Sequence, residues 1–172
     1  MIAAMAGVIV LVAGHTGSGK TMLTNRLGKE MRWVPLDNDE ITESLASIAL
    51  VALGQPADDR SSDIYQEKVL PAKYDTLWRT ATHIAESGQV AVIAAPFIAQ
   101  LTDPEQVAHI EDECAKRSIR LAGVWLTRGG PMPEGFPRWM HPLDNTRDRA
   151  SYNVVMDARE LLAPEIGWQA RP

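Results

Sequence analysis

Apolar residues follow two rhythms along this chain. Unbroken runs at Val8-Ile9-Val10-Leu11-Val12-Ala13 and at Val90-Ala91-Val92-Ile93-Ala94-Ala95 suit strands covered on both faces of a parallel sheet, and residues 120–126 read as a further strand. A shorter strand is predicted over residues 32–36, ending in the acidic run Asp37-Asn38-Asp39-Glu40. Between these runs the apolar spacing becomes helical. Met22, Leu23 and Leu27 mark a first helix with Gly28 near its end. Ile41, Leu45, Ile48, Ala49 and Leu53 mark a second, capped by Asp39 or Asn38. Tyr74, Leu77, Trp78, Ala81 and Ile84 mark a long third helix over residues 63–86, bent at Pro71 and stopped by Gly88. Asp103-Pro104 starts a fourth, with Val107, Ile110 and Cys114 on one face.

The pattern then breaks. Residues 127–145 hold Gly129, Gly130, Pro131, Pro133, Gly135, Pro137 and Pro142, which predicts an irregular, mobile segment. Beyond Arg147, Val154, Val155, Ala158, Leu161 and Leu162 return to helical spacing, with a fifth strand over residues 153–156 as the alternative. Strands alternating with helices define an α/β fold with a mostly parallel sheet of four or five strands and helices on both faces. Ligands of such sheets gather at the carboxyl ends of the strands.

Composition narrows the picture only a little. A chain of 172 residues is most simply one domain, 1–172. A net charge of −5 gives no basic footprint for nucleic acid. The apolar start lacks the basic flank of a signal peptide, and no run reaches the length of a membrane span. The single cysteine, Cys114, has no partner for an internal disulfide, which predicts a cytoplasmic location. It reads as a packed or surface thiol with nothing nearby to activate it.

Chemistry enters at residues 14–21, where Gly14, His15, Thr16, Gly17, Ser18, Gly19, Lys20 and Thr21 spell G-x-x-x-x-G-K-[ST] between a predicted strand and a predicted helix. In that context the backbone N–H groups converge on phosphate at the positive end of the helix. Lys20 is placed to reach the β- and γ-phosphates and the Thr21 hydroxyl to ligate Mg²⁺, so the loop predicts nucleoside triphosphate binding within a three-layer P-loop nucleoside triphosphate hydrolase fold. A switch GTPase would need D-x-x-G, and no glycine here has an aspartate three positions earlier. Asn145-Thr146-Arg147-Asp148 matches the guanine-reading N-K-x-D motif weakly, with threonine second and no apolar strand before it. Motor and transporter ATPases carry a carboxylate at the end of a buried strand, and neither Ala94-Ala95-Pro96 nor Leu126-Thr127-Arg128 offers one.

What remains is the D-x-D of Asp37-Asn38-Asp39. With the phosphate loop and the element order, it makes the chain resemble the P-loop small-molecule kinases: shikimate, gluconate and adenylate-type kinases, chloramphenicol phosphotransferase and zeta-toxin-like sugar kinases. Tyr74 and Trp78 on one helix, a strand ending in Pro96-Phe97, and Arg147-Asp148 match the broad group of AAA-type ATP-binding kinases within that set. The resemblance implies transfer of the γ-phosphate of ATP, with Mg²⁺, to a hydroxyl of a small molecule by a monomer or homodimer. Asp37 would bind Mg²⁺ through water, and Asp39 would orient the acceptor hydroxyl and take its proton. The competing reading of both carboxylates is an acidic helix cap.

Arginines would complete such a site by spreading charge over the transferring phosphoryl group. Arg128, Arg138, Arg147 and Arg149 fall in or beside residues 127–148, the only lid-like segment, and each is as readily a solvated surface charge. That segment departs from the regular helical lid of the family, so it is either a loop that orders on closure or a degenerate lid. A nucleotide-binding regulatory protein and a small NTPase therefore stand as alternatives. The acceptor pocket is expected against Arg60, Tyr65, Phe97 and Gln100, with core packing the competing role for Phe97.

Overall fold

The computed structural model describes residues 7–128, 130–146 and 151–166, with Ser151 and Tyr152 described in backbone only. Five strands, β1 (Val8–Gly14), β2 (Val34–Asp37), β3 (Val90–Ala94), β4 (Arg120–Leu126) and β5 (Met140–Leu143), form one parallel sheet in the order β2-β3-β1-β4-β5. The helices are α1 (Lys20–Met31), α2 (Asn38–Ala52), α3 (Leu70–Glu86), α4 (Ile98–Thr102), α5 (Pro104–Lys116) and α6 (Ser151–Ile166). A π-helical turn, Tyr65–Val69, precedes α3.

β1 is buried along its whole length because it is central and covered twice. Side chains alternate across a strand. Ile9, Leu11 and Ala13 therefore pack with Leu77, Ala81 and Ala85 of α3, while Val8, Val10 and Val12 pack with Leu23 and Leu27 of α1 and Leu162 of α6. The result is three layers, helix on sheet on helix. From β1 the chain travels outward to β2 across the α1 face. It returns to β3, and then passes over β1 to β4, across the α3 and α5 face. Opposite directions on opposite faces are what one crossover hand requires. The chain leaves β1 toward one sheet edge and β3 toward the other, so a crevice opens between their carboxyl ends.

The helical reading beyond Arg147 holds, since residues 153–156 lie within α6, and a fifth strand forms instead at Met140–Leu143, inside the segment expected to be irregular and mobile. Pro142 hid it: proline is tolerated there because β5 is the sheet edge, where a missing N–H breaks no ladder. The long third helix runs without a break over residues 63–86, as expected, but Tyr65–Val69 is wound as a π-helix, with Leu70 N donating to Tyr65 O, and this wider turn comes directly before Pro71. The cap of α2 is Asp37 rather than Asn38 or Asp39: its side chain accepts from the N–H groups of Asp39 and Glu40.

The crossover from β4 to β5 is irregular but pinned. Trp125 is fully buried and meets Phe136 edge-on at 5.3 Å. Trp139 is buried and its Nε1 donates to Glu111 Oε1 at 2.9 Å. Cys114 is buried, and burial pushes its thiol up to about 11, so it stays protonated and unreactive at neutral pH. No helix among the described residues is long and apolar enough to cross a membrane.

Candidate active site at the phosphate loop

β1 ends on Gly14, and α1 begins at Lys20 with Gly19 as its cap residue. Gly17 and Gly19 have φ of 75° and 96°, in the left-handed region where a side chain strains the backbone. No side chain caps α1 at Gly19, and the positive end of the helix dipole there favours an anion. Lys20 folds back over this loop, its Nζ donating to the carbonyls of Gly14 and His15, both at 2.9 Å. Burial lowers the Lys20 pKa, opposed by the charges of Asp37 and Asp39.

Thr21 Oγ1 donates to Asp37 Oδ2 at 2.6 Å. The other oxygen, Asp37 Oδ1, accepts from Asp39 N at 2.9 Å and Glu40 N at 3.4 Å. Asp37 therefore caps α2 with one oxygen, as the competing reading had it, and turns the other to Thr21 of the phosphate loop. Thr21 and Asp37 supply hard oxygen donors beside the loop, which suits Mg²⁺. Among the described residues no group of three His, Cys, Asp or Glu side chains is arranged to hold a metal, so such an ion would draw further ligands from phosphate and water.

A cleft of 530 Å³ runs from Gly17, Lys20 and Thr21, past Asp37 and Asp39, to Tyr65, Lys73, Tyr74 and Pro96. Lys73 is the site residue that sequence reasoning missed. It is buried to 5% exposure, and its Nζ lies 3.3 Å from Asp39 Oδ1 and 2.9 Å from Glu43 Oε2. A signal was present: Lys73 precedes Leu77, Ala81 and Ala85 at a strict spacing of four, on the buried stripe of α3. Arg60 closes the chain of charges by bonding Glu43 Oε1, while also donating to Asp59 O at 2.7 Å and standing 5.3 Å over the Tyr65 ring.

These contacts set the ionisation of the pair. Glu43 is held below the usual carboxylate range by its hydrogen bond to Arg60 and then by that to Lys73. For Lys73, burial acts downward, but the bond to Glu43 and the charges of Tyr65, Asp39 and Glu43 leave its pKa raised. Burial likewise raises Tyr74, against a hydrogen bond with the Phe97 backbone. A depressed carboxylate contributes stability that is complete above its unfolded pKa and lost as pH falls through the folded one. A raised lysine contributes stability that is complete below its unfolded pKa and lost as pH rises through the folded one. The coupling of Lys73 and Glu43, read by urea unfolding of Lys73→Met, Glu43→Gln and the double variant, should therefore be constant near neutrality. It should fade as pH drops below 4.5, and again as pH climbs past 10.5.

The other predicted residues separate. Asp37, Asp39, Tyr65 and the phosphate loop share the cleft. Phe97 is buried in the core at 5.6 Å from Tyr74, and Gln100 is half-buried on α4; neither lines the cleft. Arg60 stands outside it, committed to Glu43. Arg128 is half-buried after β4, Arg138 is exposed, and neither lines the cleft. Arg147 and Arg149 lie outside the described residues.

No family model and no curated protein sequence matches the chain. Solved structures do. A Chloroflexus aurantiacus protein provisionally described as a kinase superposes with a TM-score of 0.64 at 18% identity, over 94% of this chain and 98% of that one. The Mycobacterium tuberculosis APS kinase gives 0.61 at 20% identity, over 91% and 97% of the two chains, and the same enzyme solved with AMPPNP and APS gives 0.54 at 19%, over 91% and 98%. A gluconokinase from Sinorhizobium meliloti gives 0.53 at 17% identity, over 93% of each chain. At these identities the likeness establishes the fold, which is that of the P-loop small-molecule kinases.

Proposed function

We propose that this protein is an ATP-dependent phosphotransferase that moves the γ-phosphate to a hydroxyl of a small molecule. The observation that carries the reading is the single cleft joining the phosphate loop to Asp39. One end presents Lys20 and the N-terminus of α1 to a triphosphate, and the other presents a carboxylate to an acceptor. Asp39 Oδ1 is taken by Lys73, which leaves Oδ2 to orient the acceptor hydroxyl and accept its proton. Mg²⁺, held by Thr21 and through water by Asp37, would neutralise charge on the phosphates. Met140–Leu143 belongs to the sheet as β5, so the part of a lid is left to residues 127–139, from which Arg128 and Arg138 would reach the phosphoryl group on closure.

The charges of the acceptor half argue for an uncharged acceptor. Lys73 is shared between Asp39 and Glu43, and Arg60 is bound to Glu43, so no cation lining this half among the described residues is left for an anion. An acid brought beside Asp39 meets like charge, a repulsion that solvent screens in part because the Asp39 side chain is 79% exposed. A polyol should therefore exceed the matched sugar acid in kcat/KM by roughly tenfold or more. A coupled ADP assay over such pairs checks this; preference for the acid removes the acceptor assignment. One observation favours a second reading, a nucleotide-binding regulatory protein: no arginine among the described residues lines the cleft. Tight ATP binding by calorimetry, with no transfer across a broad acceptor screen, would select it.

A further inference from the structure

We infer that Asn145 is a positioning residue for the phosphate loop, tying the loop's apex to the end of β4 and turning a loop N–H toward the triphosphate. The inference rests on the triphosphate reading above. Asn145 opens the Asn-Thr-Arg-Asp run, in which the sequence assigned a part to Arg147 and Asp148 but none to Asn145. The structure supplies the strand that run lacked, since β5 ends at Leu143, two residues before it.

The Asn145 side chain is buried at 7% exposure and both ends of its carboxamide are engaged. Nδ2 donates to the Ser18 carbonyl, and Oδ1 accepts from Arg128 N at 2.9 Å. In a planar trans peptide the carbonyl of one residue and the N–H of the next point in opposite directions. Fixing the Ser18 carbonyl against Asn145 therefore aims the Gly19 N–H the other way, as a donor for the phosphate cradle. Little else holds this peptide. Ser18 N donates to His15 O at 3.1 Å within the loop, and the Ser18 hydroxyl is buried without a partner among the described residues.

The contact fixes the space as well. A Cβ on Gly19 would stand 3.6 Å from Asn145 Nδ2, so the carboxamide lies directly against the loop. Through Arg128 N the same side chain reaches the first residues of the β4–β5 crossover, where Thr127 N donates to Leu143 O at 3.1 Å. Phosphate loop, crossover and β5 thus meet at one amide.

The test is calorimetric titration of wild type, Asn145→Ala and Asn145→Leu with Mg²⁺-ATP and with inorganic tripolyphosphate. Leu keeps the volume and removes both hydrogen bonds. Both variants should weaken both ligands by the same factor, roughly tenfold, because the defect lies at the phosphates. A merely structural role would lower the melting temperature and leave the affinity of the folded protein unchanged, and unchanged affinity in Asn145→Leu overturns the inference. Loss of ATP affinity with tripolyphosphate affinity retained overturns it too, by moving the effect to the nucleoside. A measurement on unaltered protein backs these up: the Asn145 carboxamide protons should exchange slowly and shift on adding tripolyphosphate. Wild type that binds neither ligand would refute the triphosphate reading itself, which the variants alone would not.

Discussion

Lys20→Ala should reduce phosphoryl transfer by roughly 10²–10³-fold, the effect of removing one preorganised cationic or hydrogen-bonding group from developing phosphoryl charge. The Lys20 ammonium is already gathered over the loop, on the carbonyls of Gly14 and His15, before any phosphate is present. Little rearrangement is then needed at the moment of transfer. Its ionisation is poised by opposed influences, with burial lowering the pKa and Asp37 and Asp39 raising it. A bound triphosphate adds negative charge and favours the cation further. Lys20→Arg should fail to restore the rate, because a planar guanidinium does not fit a niche shaped for a point charge on main-chain oxygens. Steady-state kinetics and calorimetry check both variants. A Lys20→Ala protein that retains wild-type turnover would remove the phosphate loop from the chemistry.

Asp39→Asn should lower kcat by roughly 10²–10⁴-fold, the usual worth of a positioned general base. Its ATP affinity should stay within about twofold, because the Asp39 carboxylate makes its ion pair on the acceptor side, with Lys73, and acts on Lys20 only as a charge at a distance. Stability should change little: the Asp39 side chain is 79% exposed, and asparagine keeps an oxygen for Lys73. This split between kcat and affinity separates a base from a cap. Asp37 holds the capping role, so removing the charge of Asp39 leaves α2 capped. An unchanged kcat in Asp39→Asn would pass the base role to another group.

The parts of this site that a sequence displays are those built from local chain geometry. Residues 14–21 needed only a strand before and a helix after, and β1 and α1 provide both. Asp37 and Asp39 were legible because an acidic cluster at a strand end falls where parallel sheets place ligands. Residues whose meaning depends on distant partners were not. Lys73 stands 34 positions from Asp39 and acquires its role only when α3 packs across α2. Asn145 reaches Ser18 across 127 positions, and only because β5 brings the chain back beside the loop. β5 itself was obscured by Pro142, whose tolerance at a sheet edge shows only once the strand order is known. Arg60 illustrates the converse. As an isolated cation in a loop it was expected against the acceptor pocket, whereas in the fold it neutralises Glu43.

The account stands or falls on where the γ-phosphate goes. ATP labelled in the γ-position, incubated with Mg²⁺, the protein and a mixture of uncharged polyols, should deliver the label to a polyol as a phosphate ester. That product should vanish in Asp39→Asn while ATP still binds. Label found only in inorganic phosphate, at a rate indifferent to added polyol, would contradict the account and leave a hydrolase in its place.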